Sequence, residues 1–286
     1  MQMPEADFAY VRVLSIAGSD SGGGAGIQAD LKTISALGAY GMTAITAITA
    51  QNTQGVRSIA SIPVHVLADQ IDAVVEDIGV EAVKIGMLHA PEVVQTVAEA
   101  LKCHQLAPVV LDPVMVATSG ASLMEDATVQ VLVRELFPLA TLVTPNLDEA
   151  ELLLQRSIRT VEEMRQAARD LKAMGAPAVL LKGGHLAGEH VVDVLLQADG
   201  EELVFEDKRI ATPNTHGTGC TLSSAIATYL ALGEDVPEAV QYARQYVRHA
   251  LEAGALVATG KAGNGPLNHS FHPKAMRLMR IEDYSC

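Results

Sequence analysis

Two glycine-rich segments of the chain have residue types and spacing that suit phosphate binding. The first, residues 18–26, reads Gly-Ser-Asp-Ser-Gly-Gly-Gly-Ala-Gly, and the second, residues 216–220, reads His-Gly-Thr-Gly-Cys. Glycine lets the backbone approach a ligand closely, and free amides at the start of a helix attract anions. The candidates for stabilising a phosphoryl group during transfer are the amides of Gly217, Thr218, Gly219 and Cys220.

Other functions of glycine-rich loops are weaker hypotheses. No GxxxxGK[S/T] sequence occurs, so a P-loop is excluded. Gly24, Gly26 and Ala29 match the dinucleotide pattern GxGxxA, but the region about 20 residues on has no acid for a ribose, which disfavours an oxidoreductase. Either segment could also be a plain turn, with Thr218 capping the following helix.

Acidic side chains follow two apolar runs that read as strands. Asp112 follows the run 109–111, and Glu149 lies just after the run 142–145. At the carboxyl edge of a parallel sheet they would lie together, and such oxygen ligands suit Mg²⁺. The plainer alternatives stay open, because Asp112 could serve a turn before Pro113 and Glu149 could complement a helix dipole.

Two lysines also stand in or after apolar runs. Lys182 ends the run 178–181 and could neutralise a nucleotide phosphate or be an exposed strand end; spacing does not rank these two. Lys84 has apolar neighbours, and a buried lysine is seldom unpaired, so an edge or active-site position is favoured over a solvated one.

Short β-branched runs alternate with helical patterns along the chain. This alternation predicts an α/β fold with a mainly parallel sheet, helices on both faces and an antiparallel edge near residues 191–205. The predicted strands are 11–17, 43–49, 82–87, 109–114, 141–144 and 178–182. The predicted helices are 27–37, 66–78, 92–101, 127–136, 148–154, 161–174, 220–232 and 237–256.

Composition limits the classes of partner. The chain has 286 residues, a net charge of -14, and only 3% aromatic residues without Trp, so neither nucleic acid nor an anionic membrane is an expected partner. We predict a single domain, 1–286, with residues 1–10 and 268–286 as peripheral tails and His269 and His272 at the surface. The acidic amino terminus and the lack of a long apolar run predict a cytosolic protein.

The cysteines and histidines indicate no further chemistry. Cys103, Cys220 and Cys286 are widely spaced, which predicts reduced thiols rather than disulfides or a zinc site. The histidines show no metal-ligand spacing, and no GxSxG or Cys-His constellation offers a hydrolase nucleophile.

Taken in order, several motifs closely resemble those of the hydroxymethylpyrimidine/phosphomethylpyrimidine kinases of thiamine biosynthesis, in the ribokinase-like superfamily. The resemblance runs from about Val11 to the glycine-rich segment 260–266. The motifs are residues 16–33, 49–53, 84–88, 110–115, 144–146, 181–185 and 216–221.

The resemblance implies a ribokinase-like fold, an ATP-dependent kinase with Mg²⁺, and a homodimer. It places the pyrimidine against Gly18, Asp30, Gln51 and Val114. It places the nucleotide against Lys182, Asn146 and Thr215. It places Mg²⁺ near Asp112 and Glu149, and the anion hole at the 217–220 amides.

The resemblance also places Cys220 where many relatives have an aspartate base. A helix amino terminus lowers a thiol pKa, so we expect Cys220 to accept the proton of the hydroxymethyl group near neutral pH. A phosphate monoester is already largely ionised at pH 7 and needs no base. The Cys220→Ala change should therefore slow phosphorylation of the alcohol far more than that of the monophosphate.

Two alternatives accompany this prediction. A pyridoxal or pyridoxine kinase would also phosphorylate a hydroxymethyl group on a heteroaromatic ring. A ligand-binding module that has lost catalysis is disfavoured, because Asp112, Glu149, Lys182 and the 217–220 segment are all retained.

Overall fold

A mainly parallel β-sheet forms the centre of this computed structural model, which describes residues 7–115, 124–186 and 188–280. The strands are β1 Phe8–Tyr10, β2 Arg12–Asp20, β3 Tyr40–Asn52, β4 Gly55–Ser61, β5 Ala82–Ile85, β6 Val109–Leu111, β7 Leu142–Val143, β8 Val179–Lys182, β9 His190–Leu196, β10 Glu202–Lys208 and β11 Leu278–Arg280. Within the described ranges, nine strands make one sheet in the order β10-β9-β8-β7-β6-β5-β2-β3-β4, and β1 pairs with β11 in a separate ribbon. The pairs from β8 to β3 are parallel, whereas β4, β9 and β10 pair antiparallel with their neighbours.

Helices connect the parallel strands, as such crossovers require. They are α1 Gly26–Ala36, α2 Val64–Asp77, α3 Pro91–Cys103, α4 Asp126–Glu135, α5 Leu147–Leu154, α6 Val161–Ala173, α7 Thr218–Ala231 and α8 Val236–Gly254. Capping boxes start α5 at Asn146 and α6 at Thr160, where the side chain accepts the N3 amide. None of the helices in the described ranges is both long and apolar enough to cross a bilayer.

Hydrophobic cores lie on both faces of the sheet. Successive side chains of a strand point to opposite faces, so Leu111 joins the core under α2 to α6, and Val110 joins the core under α1, α7 and α8. Both faces are covered, which explains why the parallel strands read as nearly continuous apolar runs. The predicted ribokinase-like α/β fold with helices on both faces is confirmed.

Three features of the fold differ from the sequence prediction. The β4 strand adds a second antiparallel edge beside β3. Parts of the predicted tails pair through β1 and β11, while residues 1–6 and 281–286, including Cys286, lie outside the described residues. The surface position predicted for His269 is wrong, because only 4% of it is exposed and its Nε2 lies 2.9 Å from Thr221 Oγ1.

Candidate active site

A cavity of about 920 Å³ follows the carboxyl edge of the sheet. Its walls come from the ends of β2, β3, β6 and β8 and from the start of α7. The carboxyl ends of parallel strands are the usual ligand site in open α/β sheets, and this volume is at the upper end for small-molecule pockets. The cavity is therefore large enough for two substrates side by side.

Most of the predicted site residues line this cavity. They come from strand ends, from the loop before α7 and from its first turn. They are Gly18, Gln51, Asp112, Val114, Asn146, Glu149, Lys182, Thr215, Gly217, Thr218, Gly219 and Cys220.

Asp30 is the exception among the predicted contacts, because it lies behind the cavity wall. None of its surface is exposed, and both of its oxygens are within 2.9 Å of Lys84 Nζ. The hydroxyls of Ser15 and Ser224 also donate to it. Its carboxylate is already fully hydrogen-bonded and holds Lys84, and its contact with the pyrimidine stays a prediction.

The loop before α7 is shaped to present backbone amides. Gly217 is the N-cap of α7 with φ +84°, a left-handed conformation that favours glycine. A Cβ there would lie 1.8 Å from Gly24 O, so the two glycine-rich segments touch at this point.

Three of the four predicted amide donors are available. The amide of Thr218 donates to Thr215 O at 3.2 Å, and its hydroxyl donates to the same carbonyl instead of capping α7. Among the described residues, the amides of Gly217, Gly219 and Cys220 have no protein acceptor. Orphan amides at a helix start carry partial positive charge, so this turn can bind an anion.

Charged side chains from neighbouring strand ends face this turn. Lys182 Nζ lies 2.7 Å from Asp112 Oδ1, and Thr144 Oγ1 donates to the same oxygen at 3.1 Å. A Cβ at Gly219 would lie 3.4 Å from Lys182 Nζ and 3.6 Å from Asp112 Oδ2, so glycine leaves the space between them open. Burial alone would lower the pKa of Lys182, but the carboxylates of Asp112 and Glu149 raise it above its ordinary value, which keeps the ammonium charged.

Glu149 combines its plainer role with a place in the site. Its carboxylate accepts the Asn146 amide at 2.8 Å, and Asn146 Oδ1 accepts the Glu149 amide at 2.9 Å, which fixes both residues at the start of α5. The side-chain oxygen of Asn146, Oδ1, therefore already accepts a hydrogen bond in this cap. Burial raises the pKa of Glu149 to about 7; Lys182 opposes the rise and Asp112 adds to it.

The donor set fits Mg²⁺ only together with a nucleotide. Asp112 and Glu149 offer two carboxylates, and no group of three or more His, Cys, Asp or Glu side chains suited to a metal occurs in the described ranges. Mg²⁺ commonly takes one or two carboxylates, and phosphate and water oxygens complete its shell. Because the pKa of Glu149 is raised to about 7, a bound cation would favour its carboxylate form at neutral pH.

The pKa of the Cys220 thiol is higher than the sequence predicted. Burial raises its pKa to about 11, while Lys84 and the backbone amide of Gly26 lower it and the carboxylates of Asp30 and Asp112 raise it. The expectation of a lowered pKa considered the helix amide dipoles alone, and removal of the thiolate from water outweighs them. Cys220 is thus a protonated thiol near neutral pH.

Asp20 and His216 are site residues that the sequence prediction missed. Asp20 accepts the amides of Gly22, Gly24 and Ala25 at 2.8–3.1 Å, and His216 Nε2 lies 3.0 Å from its Oδ2. Burial would raise the pKa of Asp20, but His216 and these amides lower it. The signal was an aspartate at the start of a glycine run, which often binds nearby amides.

Gln51 lines the cavity next to this pair. Thr49 Oγ1 donates to Ser19 O at 2.9 Å and lies 3.1 Å from Gln51 Oε1, while Gln51 Nε2 lies 3.4 Å from His216 Nε2. A primary amide offers both donors and an acceptor, so Gln51 can read a ring that carries an amino group beside a ring nitrogen.

Comparison with known proteins gives consistent matches. A family model described as phosphomethylpyrimidine kinase matches residues 20–268. The chain is 51% identical over 265 residues to the thiamine biosynthesis bifunctional protein ThiED of Geobacter sulfurreducens, covering 92% of this chain but 53%, about half, of that relative. It is 51% identical over 261 residues to a hydroxymethylpyrimidine/phosphomethylpyrimidine kinase of Rhizobium meliloti, covering 91% and 96% of the two chains. Among solved structures, an ADP complex of Bacillus subtilis pyridoxal kinase matches with a TM-score of 0.83 and 39% identity, over 92% of this chain and 98% of that chain.

Proposed function

The chain belongs to the phosphomethylpyrimidine kinase family, and from that premise we propose that it phosphorylates 4-amino-5-hydroxymethyl-2-methylpyrimidine with ATP, first to the monophosphate and then to the diphosphate. This is the pyrimidine branch of thiamine biosynthesis, in line with the name of a relative. One observation carries the proposal: a single cavity is lined both by Gln51 and by the open turn at Gly219, which faces Lys182 and Asp112.

The transferring phosphoryl group would occupy the space above Gly219. The free amides of Gly217, Gly219 and Cys220 would bind its equatorial oxygens, on which charge develops during transfer. Lys182 would exchange its contact with Asp112 for a phosphate oxygen. Positioning and charge neutralisation supply most of the catalysis of phosphoryl transfer, and these groups supply both.

The nucleotide and its metal would lie along the same edge. Asn146 and Thr215 line the cavity beside Lys182 and would contact ATP. Asp112 and Glu149 would hold Mg²⁺, which supplies neutralisation of the phosphate charges when bound. Once Lys182 turns to the phosphates, Asp112 is free to serve as a ligand.

The pyrimidine would lie between Gln51, Gly18 and Val114. The Gln51 side-chain amide has two N–H groups and would donate one of them to a ring nitrogen. Gly18 has no Cβ, and the nearest atom to an added Cβ would be the flexible end of Met87 at 2.9 Å, so the backbone of this wall is open to the cavity. A flat ring can therefore lie directly on the backbone there.

Incubation of the purified protein with ATP, Mg²⁺ and the hydroxymethyl pyrimidine tests the function. Mass spectrometry should find the monophosphate and then the diphosphate, and Lys182→Met should give neither at a comparable rate. Absence of both products from the unaltered protein would refute the proposal. A larger kcat/KM for pyridoxal than for the pyrimidine would instead favour the pyridoxal kinase alternative, which is the name of a structural neighbour.

A homodimer and a cytosolic location complete the proposal. The edge strand β4 and its neighbour β3 expose Ile59 (44%) and Ile48 (49%), apolar surface that a second copy could cover. The net charge of -14 supports the absence of nucleic-acid and anionic-membrane partners. The cytosol is where ATP is supplied. Sedimentation of Ile59→Lys as a monomer beside a dimeric parent would support this interface, whereas a monomeric parent would refute it.

A further inference from the structure

Lys84 is a buried lysine at the wall of the active-site cavity. It lies in β5, none of its side chain is exposed, and yet it lines the cavity, as Ala17 and Cys220 also do. Lysines are almost never fully buried unless they are paired. The phosphoryl transfer proposed above gives this cation no task.

Asp30 holds the Lys84 ammonium in a fixed position. Lys84 Nζ lies 2.9 and 2.8 Å from the two Asp30 oxygens. Ser15 Oγ donates to one of these oxygens, and Ser224 Oγ donates to the other. Because all of these groups are buried, the ammonium cannot exchange its partner for water.

The ammonium retains a donor that the protein does not use. It has three N–H groups, and no acceptor for Nζ other than Asp30 occurs in the described part of the chain. A Cβ at Gly86 would lie 2.9 Å from Nζ, so the glycine keeps room beside the ammonium. The positive charge is therefore available to a group at the cavity wall.

Cys220 is such a group, because Ser224, which donates to Asp30, lies one turn after Cys220 on the same face of α7, and charges of both signs act on the thiol. Lys84 is the cation that most favours the thiolate, which is otherwise disfavoured by burial. The charged groups that act on the thiol come from four different elements: Lys84 from β5, Lys182 from β8, Asp30 from α1 and Asp112 from the end of β6.

We propose that Lys84, held by Asp30, is a positioning residue that stabilises the thiolate form of Cys220 at the wall of the acceptor site. Its catalytic consequence rests on the proposed function. When Cys220 is in its thiolate form, the acceptor oxygen bonds to the γ-phosphorus as ADP leaves, the O–H bond breaks and the proton passes to the Cys220 sulfur. The second transfer, to an ionised phosphate, needs no such proton acceptor.

Alkylation of Cys220 tests the inference without nucleotide, metal or pyrimidine. In a Cys103→Ser/Cys286→Ser background, Cys220 is the sole cysteine, and its rate of reaction with iodoacetamide at pH 9 follows the thiolate fraction. Lys84→Met should lower this rate about tenfold, equivalent to one pH unit, and Asp30→Asn should raise it by a similar factor. Lys84→Arg should restore a rate close to that of the background protein.

The opposite directions separate an electrostatic role from a structural one. Both variants break the same buried ion pair, so mere loosening would expose Cys220 and speed alkylation in both. An unchanged or faster rate in Lys84→Met, or a slower one in Asp30→Asn, would overturn the inference. Lys84→Gln, which is also neutral, replaces Lys84→Met if the latter does not fold, with the same expected slowing.

Kinase assays on the background protein keep the two proposals apart. Product formation together with unshifted alkylation would overturn the role of Lys84 alone. Shifted alkylation without any phosphorylated pyrimidine would refute the proposed function and leave the electrostatic pairing of Lys84 with Cys220 in place.

Discussion

Protonation of His269 should weaken the folded protein at mildly acidic pH. His269 packs its ring against the first turn of α7 through Thr221, and the Tyr246 hydroxyl donates to its backbone oxygen at 2.6 Å. Burial lowers its pKa from 6.5 to about 4, and the nearby Lys32 adds to this effect. The imidazole is therefore neutral in the folded protein over a pH range in which it is charged in the unfolded chain.

The sign and the size of the effect follow from these two values. Because the folded pKa lies below the unfolded one, the unfolded chain binds the proton first as pH falls, and stability is lost between about pH 6.5 and 4. Each tenfold difference in proton affinity is 1.36 kcal/mol, so the free energy of unfolding should fall by about 2 kcal/mol between pH 7.5 and 5 from this residue. Glu149 acts in the opposite sense, since its raised pKa weakens the fold as pH rises from 4.5 to about 7.

Urea denaturation followed by far-ultraviolet circular dichroism, at pH 7.5 and pH 5, measures the effect. His269→Gln removes the titrating group. Between pH 7.5 and pH 5, its free energy of unfolding should therefore fall by about 2 kcal/mol less than that of the parent. Glu149 is present in both proteins and cancels. His272→Gln is the matched control, because His272 is exposed and its replacement should leave the parental pH dependence unchanged. Equal pH dependence of His269→Gln and the parent would refute the reasoning.

Three further predictions concern catalysis. Gly217→Ala should lower kcat at least about 100-fold for both phosphorylations, since its Cβ would meet Gly24 O and displace the free amides. Gly233→Ala, also at positive φ but in open space, is the control and should keep kcat within about twofold in the same steady-state assays. An active Gly217→Ala enzyme would contradict the anion-hole assignment. In single-turnover assays, the rate of alcohol phosphorylation should rise about tenfold per pH unit from pH 7 to 9, because the Cys220 pKa is about 11, while the rate for the monophosphate should stay nearly constant. Parallel pH profiles would argue against proton transfer to the Cys220 thiolate. Lys182→Met should slow both steps by similar factors of about 100 or more, because both transfers need the same charge neutralisation, and selective loss of one step in the same assay would contradict this.

The central sheet was predictable because its parallel strands are buried on both faces. Val109–Leu111 and Val179–Lys182 read as apolar runs that end in polar residues, and the rule of carboxyl edges then places Asp112 and Lys182 together. The strand Gly55–Ser61 lacks this signal, since it is an edge strand whose side chains are mostly exposed. Its pairing with β3 depends on a turn that the apolar pattern does not mark.

The remaining misses depend on contacts between distant parts of the chain. Asp30 and Lys84 are separated by 54 residues, and the sequence indicates only that a buried lysine needs a partner. His269 follows a glycine-rich segment that reads as a surface loop, although His269 itself is buried against Thr221 of α7. The pKa of the Cys220 thiol shows the same limitation. The helix dipole is a local effect that the sequence reveals, whereas desolvation depends on residues that are distant in the sequence.

Contact between Gly24 and Gly217, reinforced by the pair of Asp20 and His216, has a consequence for changing the acceptor specificity of this enzyme. Residues 18–26 and 216–220, which we propose to border the acceptor ring and the donor phosphates, share a boundary with no room for an added methyl group. Libraries that randomise one segment alone will be dominated by clashes with the other. The two should be diversified jointly, as a single design unit, with Asp20 and His216 exchanged only as a couple.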